Sequence, residues 1–454
     1  MDAKGGSPMK MPFTVVGGGL AGCEAAWQLA RRGLPVRLFE MRPLATTPAH
    51  STDRLAEVVC SNSFGADRGR ERPSAGGILK DELALGGSLI LECAEACRVP
   101  AGGALAVDRE RFSALVTERI AARPEIQLIR QEVTSLPEGL AILATGPLTS
   151  APLADALAAA LGRGYVAFFD AAAPIVTRDS IDMERAYVAG RWGGSGDYIN
   201  CPMTREEYLA FHDALVHAER ALPHDFERGM YFEGCIPIEA LAERGPDTLR
   251  FGPLRPVGLE DPRPGRSGRA WAVVQLRQDD AAGTLFNLVG FQTGLKWGEQ
   301  RRVFSMIPGL EHAEFVRLGV MHRNTSVCAP AVLDPWLRPA PTGRGDLFLA
   351  GQITGVEGYM ESTAMGLAAG LHAACLATGR PLPVWPDETV VGSLMRYLRT
   401  ATPERFQPMN ANLGILPPLE GRIRDKKLRA AAYRDRALAA AEGFWRAQGV
   451  PAPQ

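Results

Sequence analysis

What this sequence lacks narrows its class before any motif is read. It has no excess of charge of either sign: 50 Lys and Arg stand against 51 Asp and Glu, a formal net charge of -1 over 454 residues. A polyanionic partner must therefore be met by a local basic patch. It has no run of about eighteen apolar residues, so no transmembrane helix and no membrane partner are expected. Its N-terminus has no basic stretch followed by an apolar segment and a cleavage site. No signal peptide is expected, and the protein reads as cytoplasmic. Cysteine is sparse: Cys23, Cys60, Cys93, Cys97, Cys201, Cys235, Cys328 and Cys375 are too scattered for a disulfide scaffold. Cys93 and Cys97 are close, but no second pair completes a tetrahedral set, so no metal is expected. Apolar content of 46% and charged content of 22% are those of an ordinary globular chain. The length suggests two or three domains.

What is present begins at Met11. Phe13 to Val16 is a short apolar β-rich run, followed by Gly17, Gly18, Gly19, Leu20, Ala21 and Gly22. This is the G-x-G-x-x-G spacing. Gly17 permits a tight turn, Gly19 lets the backbone approach a pyrophosphate, and Gly22 lets helix and strand pack closely. Glu24 to Arg32 reads as a helix stopped by Gly33, and Pro35 to Phe39 as the second strand. Glu40 closes that strand, 21 residues beyond Gly19, where an acid accepts hydrogen bonds from ribose hydroxyls. Strand, glycines, helix, strand and acid in that order predict a dinucleotide site. The acid disfavours NADP but leaves NAD and FAD open.

Two distant pieces favour the flavin. Leu140 to Thr145 is an apolar strand ending in Thr-Gly. Leu347 to Ala350 is another, followed by a glycine-rich turn and a small-residue helix from about Glu361 to Leu376. One nucleotide-binding domain is thus assembled from both ends of the chain. The N-terminus of the late helix offers backbone N–H groups to a flavin ring or pyrophosphate. Between the halves, about 170 to 330, turn signals alternate with β-rich pieces such as AWAVVQLR and TLFNLVGF. Thr204 and Glu207 form a capping box ahead of a helix. The expected fold class is α/β, an FAD-binding fold with an inserted α+β domain. Its parts are 1–170, 171–330 and 331–454.

The last long element is a helix with Leu428, Ala431, Leu438 and Trp445 on one face. Arg422, Arg424, Lys426, Lys427, Arg429, Arg434 and Arg436 enrich the rest. Either these are a solvated face or they meet a phosphate backbone. Arg301 with Arg302, and Arg396 with Arg399, add local positive charge. Cys60 in EVVCSNSFGAD and Cys235 in MYFEGCIPIE stand in polar surroundings. Each is either a small buried hydrophobe or a nucleophile able to add to C6 of a uracil ring.

The stretches VVGGGLAGCEAAWQLARRG, EMRP, TPAHSTDRLAEVVCSNS, LGGSLI, VPAGGALAVDR, MYFEGCIPIE, VGFQTGLKWGEQRRVF, GVMHRNTS, GQITGVEGYMEST and FQPMNANLGILPP together resemble one family. It is the folate- and FAD-dependent tRNA (uracil-5-)-methyltransferases. The resemblance runs from about Phe13 to Arg429. It implies a fold like that of glutathione reductase, and FAD reduced by NADH or NADPH. It implies 5,10-methylenetetrahydrofolate as one-carbon donor, and tRNA as acceptor at uridine 54 of the T-loop, giving 5-methyluridine. Gly17, Gly18, Gly19, Leu20, Ala21 and Gly22 match the family's phosphate loop, Glu40 its ribose ligand, and Arg42 an adenosine neighbour. Gly351, Gln352, Gly358 and Tyr359 match its downstream flavin motif. Cys60 and Cys235 match its two catalytic cysteines, with Cys235 the first choice for nucleophile and Cys60 for an assisting group. Phe291 to Arg302 is placed near folate or RNA. The chain departs from the family in lacking Leu-Arg after CSNS, in Ser326 where relatives carry an aromatic residue, and in Cys328, read as packing. Two other readings remain at this stage. One is an FAD-dependent oxidoreductase of small molecules, and the other a non-catalytic, FAD-stabilised RNA-binding protein.

Overall fold

The computed structural model describes residues 12–47, 49–162, 165–171, 173–194, 196–221, 236–263, 270–319, 321–421 and 423–449. Its central sheet has five parallel strands in the order Leu347–Leu349, Ala141–Leu143, Phe13–Val16, Val36–Glu40, Ile126–Arg130. Short apolar runs buried on both faces are what such a sheet requires. The edge strand comes from the far end of the chain, as the sequence predicts. It aligns Phe348 with Ile142.

The first helix, Leu20–Ala30, begins earlier than expected, directly at the glycine loop. It lies against the late helix, Tyr359–Ala377. Glycine makes that approach possible: a Cβ on Gly366 would stand 2.3 Å from the Ala21 carbonyl oxygen, and one on Gly370 would stand 2.9 Å from that of Ala25. The late helix also buries His372, whose Nδ1 bonds the Trp336 carbonyl at 3.1 Å. Burial pushes this imidazole down from 6.5 to about 4. It is neutral in the fold and gains a proton on unfolding once the pH falls below its unfolded value. Stability therefore declines between pH 6.5 and 4 and loses about 3 kcal/mol from this group by the lower limit. Denaturation midpoints across that range should show the slope in the wild type and a shallower one in His372→Gln.

A second sheet is antiparallel, with six strands in the order Tyr187–Val188, Tyr198–Met203, Ala272–Gln278, Leu285–Leu288, Ile175–Thr177, Phe315–Arg317. Helix Arg205–Val216 starts with the expected capping box: Glu207 N–H donates to Thr204 Oγ1 at 3.2 Å, and Thr204 N–H to Glu207 Oε2 at 2.8 Å. Among the described residues two large apolar cores result, beside a small cluster of Val99, Ala101 and Ala106. One draws on residues between Phe13 and Leu161 and again between Val327 and Trp445. The other is confined to Val176 through Leu310. The two chain crossings, Tyr165–Ala171 and Met321–Val327, pair with each other as an antiparallel ribbon.

The C-terminal helix, Lys426–Ala447, buries a different face from the one expected. Ala430, Ala437, Ala441, Phe444 and Trp445 face inward, while Leu428 is 63% exposed. Alanines suit this side because the helix packs tightly on helix Ala75–Leu85. Some of its basic residues are held internally. Arg434 pairs with Asp81 at 3.1 Å, Lys427 with Glu71, and Arg436 donates to the Pro417 and Pro418 carbonyls. Arg424, Lys426 and Arg429 are exposed, and Arg422 lies outside the described residues. Among the described residues no helix is long and apolar enough to cross a membrane.

Candidate functional site

The glycine loop builds a cradle whose parts follow from the missing side chains. Gly17 has φ +106°, and a Cβ there would lie 2.4 Å from the Ala144 carbonyl oxygen. At Gly22 a Cβ would lie 1.8 Å from the Gly17 carbonyl oxygen, so helix and strand meet backbone to backbone. At Gly19 a Cβ would meet nothing within 4 Å. That position leaves room for a ligand to approach the main chain. Gly19 is also the N-cap of the first helix, and no side chain caps it. The first-turn N–H groups and the helix dipole suit an anion.

Glu40 stands beside this cradle, 6% exposed. Its Oε2 accepts from Gly18 N–H at 3.0 Å, and its Oε1 from the Arg42 N–H at 3.0 Å and Arg42 Nε at 2.9 Å. Burial alone would raise its pKa. The Arg42 guanidinium and the amide donors outweigh it and hold the carboxyl below the usual range. Arg42 is anchored in turn by Glu57 at 2.9 Å and the Thr52 carbonyl at 3.1 Å. Glu57 also accepts from the N–H and hydroxyl groups of Ser51 and Thr52. Glu40 is thus an aligned carboxylate with one lone pair left, on Oε2, for a hydroxyl donor.

The opposite wall comes from the distant end of the chain. Gly351 and Gly358 have φ of +81° and +118°. A Cβ on Gly358 would strike the Glu361 carboxylate at 2.1 Å. Gln352 donates to Glu357 at 2.7 Å. Tyr359 opens the late helix, and its hydroxyl accepts from the backbone N–H groups of Cys60 at 3.1 Å and Ser61 at 3.2 Å. Burial raises this phenol's pKa, so the hydroxyl stays protonated. Between the walls lies a cleft of about 270 Å³ that opens to solvent.

Gly17, Gly18, Gly19, Leu20, Ala21, Glu40, Arg42, Cys60, Gln352, Gly358 and Tyr359 all line this cleft. Gly22 and Gly351 shape it from behind: a Cβ on Gly351 would meet that of Ala21 at 2.6 Å. Among the described cysteines Cys60 alone is not buried. Burial pushes the Cys93 and Cys201 thiols up to about 12, which leaves them inert at neutral pH. Cys328 is packed, as expected, with its Sγ 3.6 Å from the Pro403 carbonyl oxygen. Cys235 lies outside the described residues. Just beyond it, Ile238 N–H donates to the Gln292 carbonyl, and Glu239 accepts from Thr293 and Gly294. This ties the following segment to the start of the 291–302 stretch, where Phe291 itself is a core residue.

A second cavity, of about 820 Å³, adjoins the first across Ser63, Glu357, Gly358 and Tyr359. Lys80 and Glu361 lie in its floor, and Arg70 and Arg72 are exposed at its side. Burial pushes Lys80 down to about 8. The sequence reading missed this cavity. It also missed Glu57, Asn62, Arg109, Arg277 and Arg317, which hold the loops around Cys60. Asn62 and Arg109 stand within the recognised stretches CSNS and AVDR; Arg277 and Arg317 carry no local signal.

The family model described as "GIDA: Glucose inhibited division protein A" matches residues 12–381. A methylenetetrahydrofolate--tRNA-(uracil-5-)-methyltransferase TrmFO of Anoxybacillus flavithermus is 55% identical over 435 residues, covering 96% of this chain and 99% of its own. The protein of the same name from Desulforudis audaxviator is 58% identical over 427 residues, covering 93% and 96%. Among solved structures, GidA of Aquifex aeolicus superposes with a TM-score of 0.68 at 16% identity, covering 95% of this chain and 73% of that one. The shared architecture is the α/β FAD-binding fold interrupted by an insert.

Proposed function

This chain belongs to the methylenetetrahydrofolate--tRNA-(uracil-5-)-methyltransferases, and from that premise we infer how its residues divide the work. The enzyme transfers a one-carbon unit from 5,10-methylenetetrahydrofolate to C5 of a uridine in tRNA, with FAD and NAD(P)H supplying the reduction to methyl. Our reading places the target at uridine 54 of the T-loop and the enzyme in the cytoplasm, where tRNA is. It also keeps the division into 1–170, 171–330 and 331–454.

The observation that carries the site assignment is the meeting of three things in one cleft: an uncapped glycine-loop helix, an aligned buried carboxylate, and the one accessible described cysteine. The cleft fits FAD. Its Gly19 face is open to a pyrophosphate, and Glu40 Oε2 keeps a free lone pair for a ribose hydroxyl. When bound, FAD supplies the electron and one-carbon carriage that the side chains cannot. The protein's part is to align and desolvate the partners. Gly17 through Gly22 hold the phosphates, and Glu40 with Arg42 holds the adenosine end. Gly351, Gln352, Gly358 and Tyr359 close the other wall. The second cavity, with its basic side, takes the anionic co-substrates.

Cys235 is the nucleophile in this reading. Its thiolate adds to C6 of uracil, and the C5–C6 π pair moves onto C5 and the O4 carbonyl. C5 then takes up the methylene unit, and the bond from that carbon to its carrier breaks as the C5 proton is lost. A hydride supplied by the reduced cofactor when bound would complete the methyl group as the thiolate leaves C6 and the ring is restored. Cys60 assists from the flavin cleft. The test is direct. Purified protein carrying flavin, given unmodified tRNA and NADH or NADPH, should form 5-methyluridine in the T-loop only when methylenetetrahydrofolate is added. Product made from S-adenosylmethionine without folate would overturn the reading.

A further inference from the structure

The loop 58–62 is held from two sides. Tyr359 takes the N–H groups of Cys60 and Ser61 from the flavin side. On the other side, three guanidinium groups converge. Arg109 Nη1 donates to the Val58 carbonyl at 2.6 Å, and Arg317 Nη2 to that of Val59 at 2.8 Å. Arg277 Nε donates to Asn62 Oδ1 at 3.0 Å and its Nη2 to Ser61 Oγ at 2.7 Å. Arg277 and Arg317 come from strands of the inserted sheet, Ala272–Gln278 and Phe315–Arg317. Asn62 is fully buried and completes the joint. Its amide donates to the Val107 and Gln278 carbonyls, and its oxygen also accepts from Asn287.

The charges do not balance. Arg109 pairs with Asp279 at 2.9 Å. Arg277 is 8% exposed and, among the described residues, has no carboxylate within 4.0 Å. Its acceptors are neutral oxygens of Ser61, Asn62 and Asn287. Burial lowers its pKa, which measures the cost of keeping this charge. Asp279, joined to this network through Asn287, offsets part of that cost but is in direct contact only with Arg109. Two buried cations thus share one carboxylate, a cost that a neutral side chain of similar size at 277 would avoid.

We propose that Arg277 is a positioning residue for the Cys60 thiol: from the inserted sheet it fixes the Ser61–Asn62 end of the loop and sets a positive charge beneath it. The presentation of Cys60 to the flavin cleft then depends on the docking of the inserted unit. This rests on reading Cys60 as an assisting group in turnover, and the experiment separates the two.

Arg277→Gln keeps a donor and removes the charge; Arg277→Lys keeps the charge and loses the fork. With both holoenzymes, the measurements are flavin content, melting temperature, kcat, KM for tRNA, and the rate at which iodoacetamide alkylates Cys60. In Arg277→Gln we expect wild-type flavin content, an equal or higher melting temperature, an unchanged KM, kcat lower by about tenfold or more, and an altered alkylation rate. Arg277→Lys should recover part of kcat. Wild-type alkylation of Cys60 in Arg277→Gln overturns the positioning proposal, whatever happens to turnover. Should that variant fail to fold, Arg277→Lys decides: wild-type kcat together with wild-type alkylation overturns the proposal. Normal turnover by Cys60→Ala removes the assisting role instead, and leaves the alkylation result to stand on its own.

Discussion

Gly22→Ala is expected to purify without flavin. The added methyl would sit 1.8 Å from the Gly17 carbonyl oxygen, and neither atom can step aside. Gly17 is pinned by its N–H, which donates a hydrogen bond to the Phe39 carbonyl at 2.8 Å, and it lies against Ala144. The helix must therefore lift away from the sheet. Overpacking a core typically costs about 1–3 kcal/mol, and a backbone collision at this distance belongs at or beyond the top of that range. Lifting the helix also withdraws its first-turn N–H groups from the phosphate position. Gly19→Ala is the informative contrast. Its methyl meets no protein atom within 4 Å, so folding should be normal while flavin affinity drops. Flavin absorbance and apoprotein melting temperature, measured on both variants, distinguish a broken frame from a blocked site. Full flavin in Gly22→Ala would mean that the loop does not hold the pyrophosphate as described.

Cys235→Ala should retain flavin and lose turnover by at least about 10³-fold, since removal of a nucleophile can cost far more than that. Cys60→Ala should also retain flavin, because its backbone N–H, not its side chain, makes the bond to Tyr359. The two are told apart by trapping. A tRNA with 5-fluorouridine at the target has no C5 proton to lose, so the sulfur–C6 bond cannot be released by elimination. The covalent adduct should form with Cys60→Ala and be absent with Cys235→Ala. An adduct in the second variant but not the first would exchange their roles.

The geometry of the glycine-loop cleft was readable in the sequence because its determinants are local. Gly17, Gly19, Gly22 and Glu40 fall within one strand–helix–strand unit; the glycines report backbone requirements and Glu40 a carboxylate at the strand's end. The capping box at Thr204 and Glu207 was readable for the same reason. Even the edge strand at 347–349 announced itself as an apolar run before glycines. The joint beneath Cys60 was not readable. Arg277 and Arg317 meet residues more than two hundred positions away, and nothing beside them in sequence distinguishes them from solvated arginines. The C-terminal helix misled for a different reason. Its buried stripe is mostly alanine, chosen for closeness to helix Ala75–Leu85, so the larger Leu428 drew the predicted face the wrong way.

The split core has a consequence for how the chain is made. The second core draws only on described residues between Val176 and Leu310, one stretch of the chain. The central sheet, in contrast, waits for Leu347–Leu349, and the far wall of the cleft for Gly351 to Ser362. On a ribosome the glycine loop emerges first, and its partner wall follows some three hundred residues later. Domains generally close as units during synthesis, at about 5–20 residues per second. The insert can therefore be complete while the unit that surrounds it is still open, and flavin capture belongs to the last stage of biogenesis.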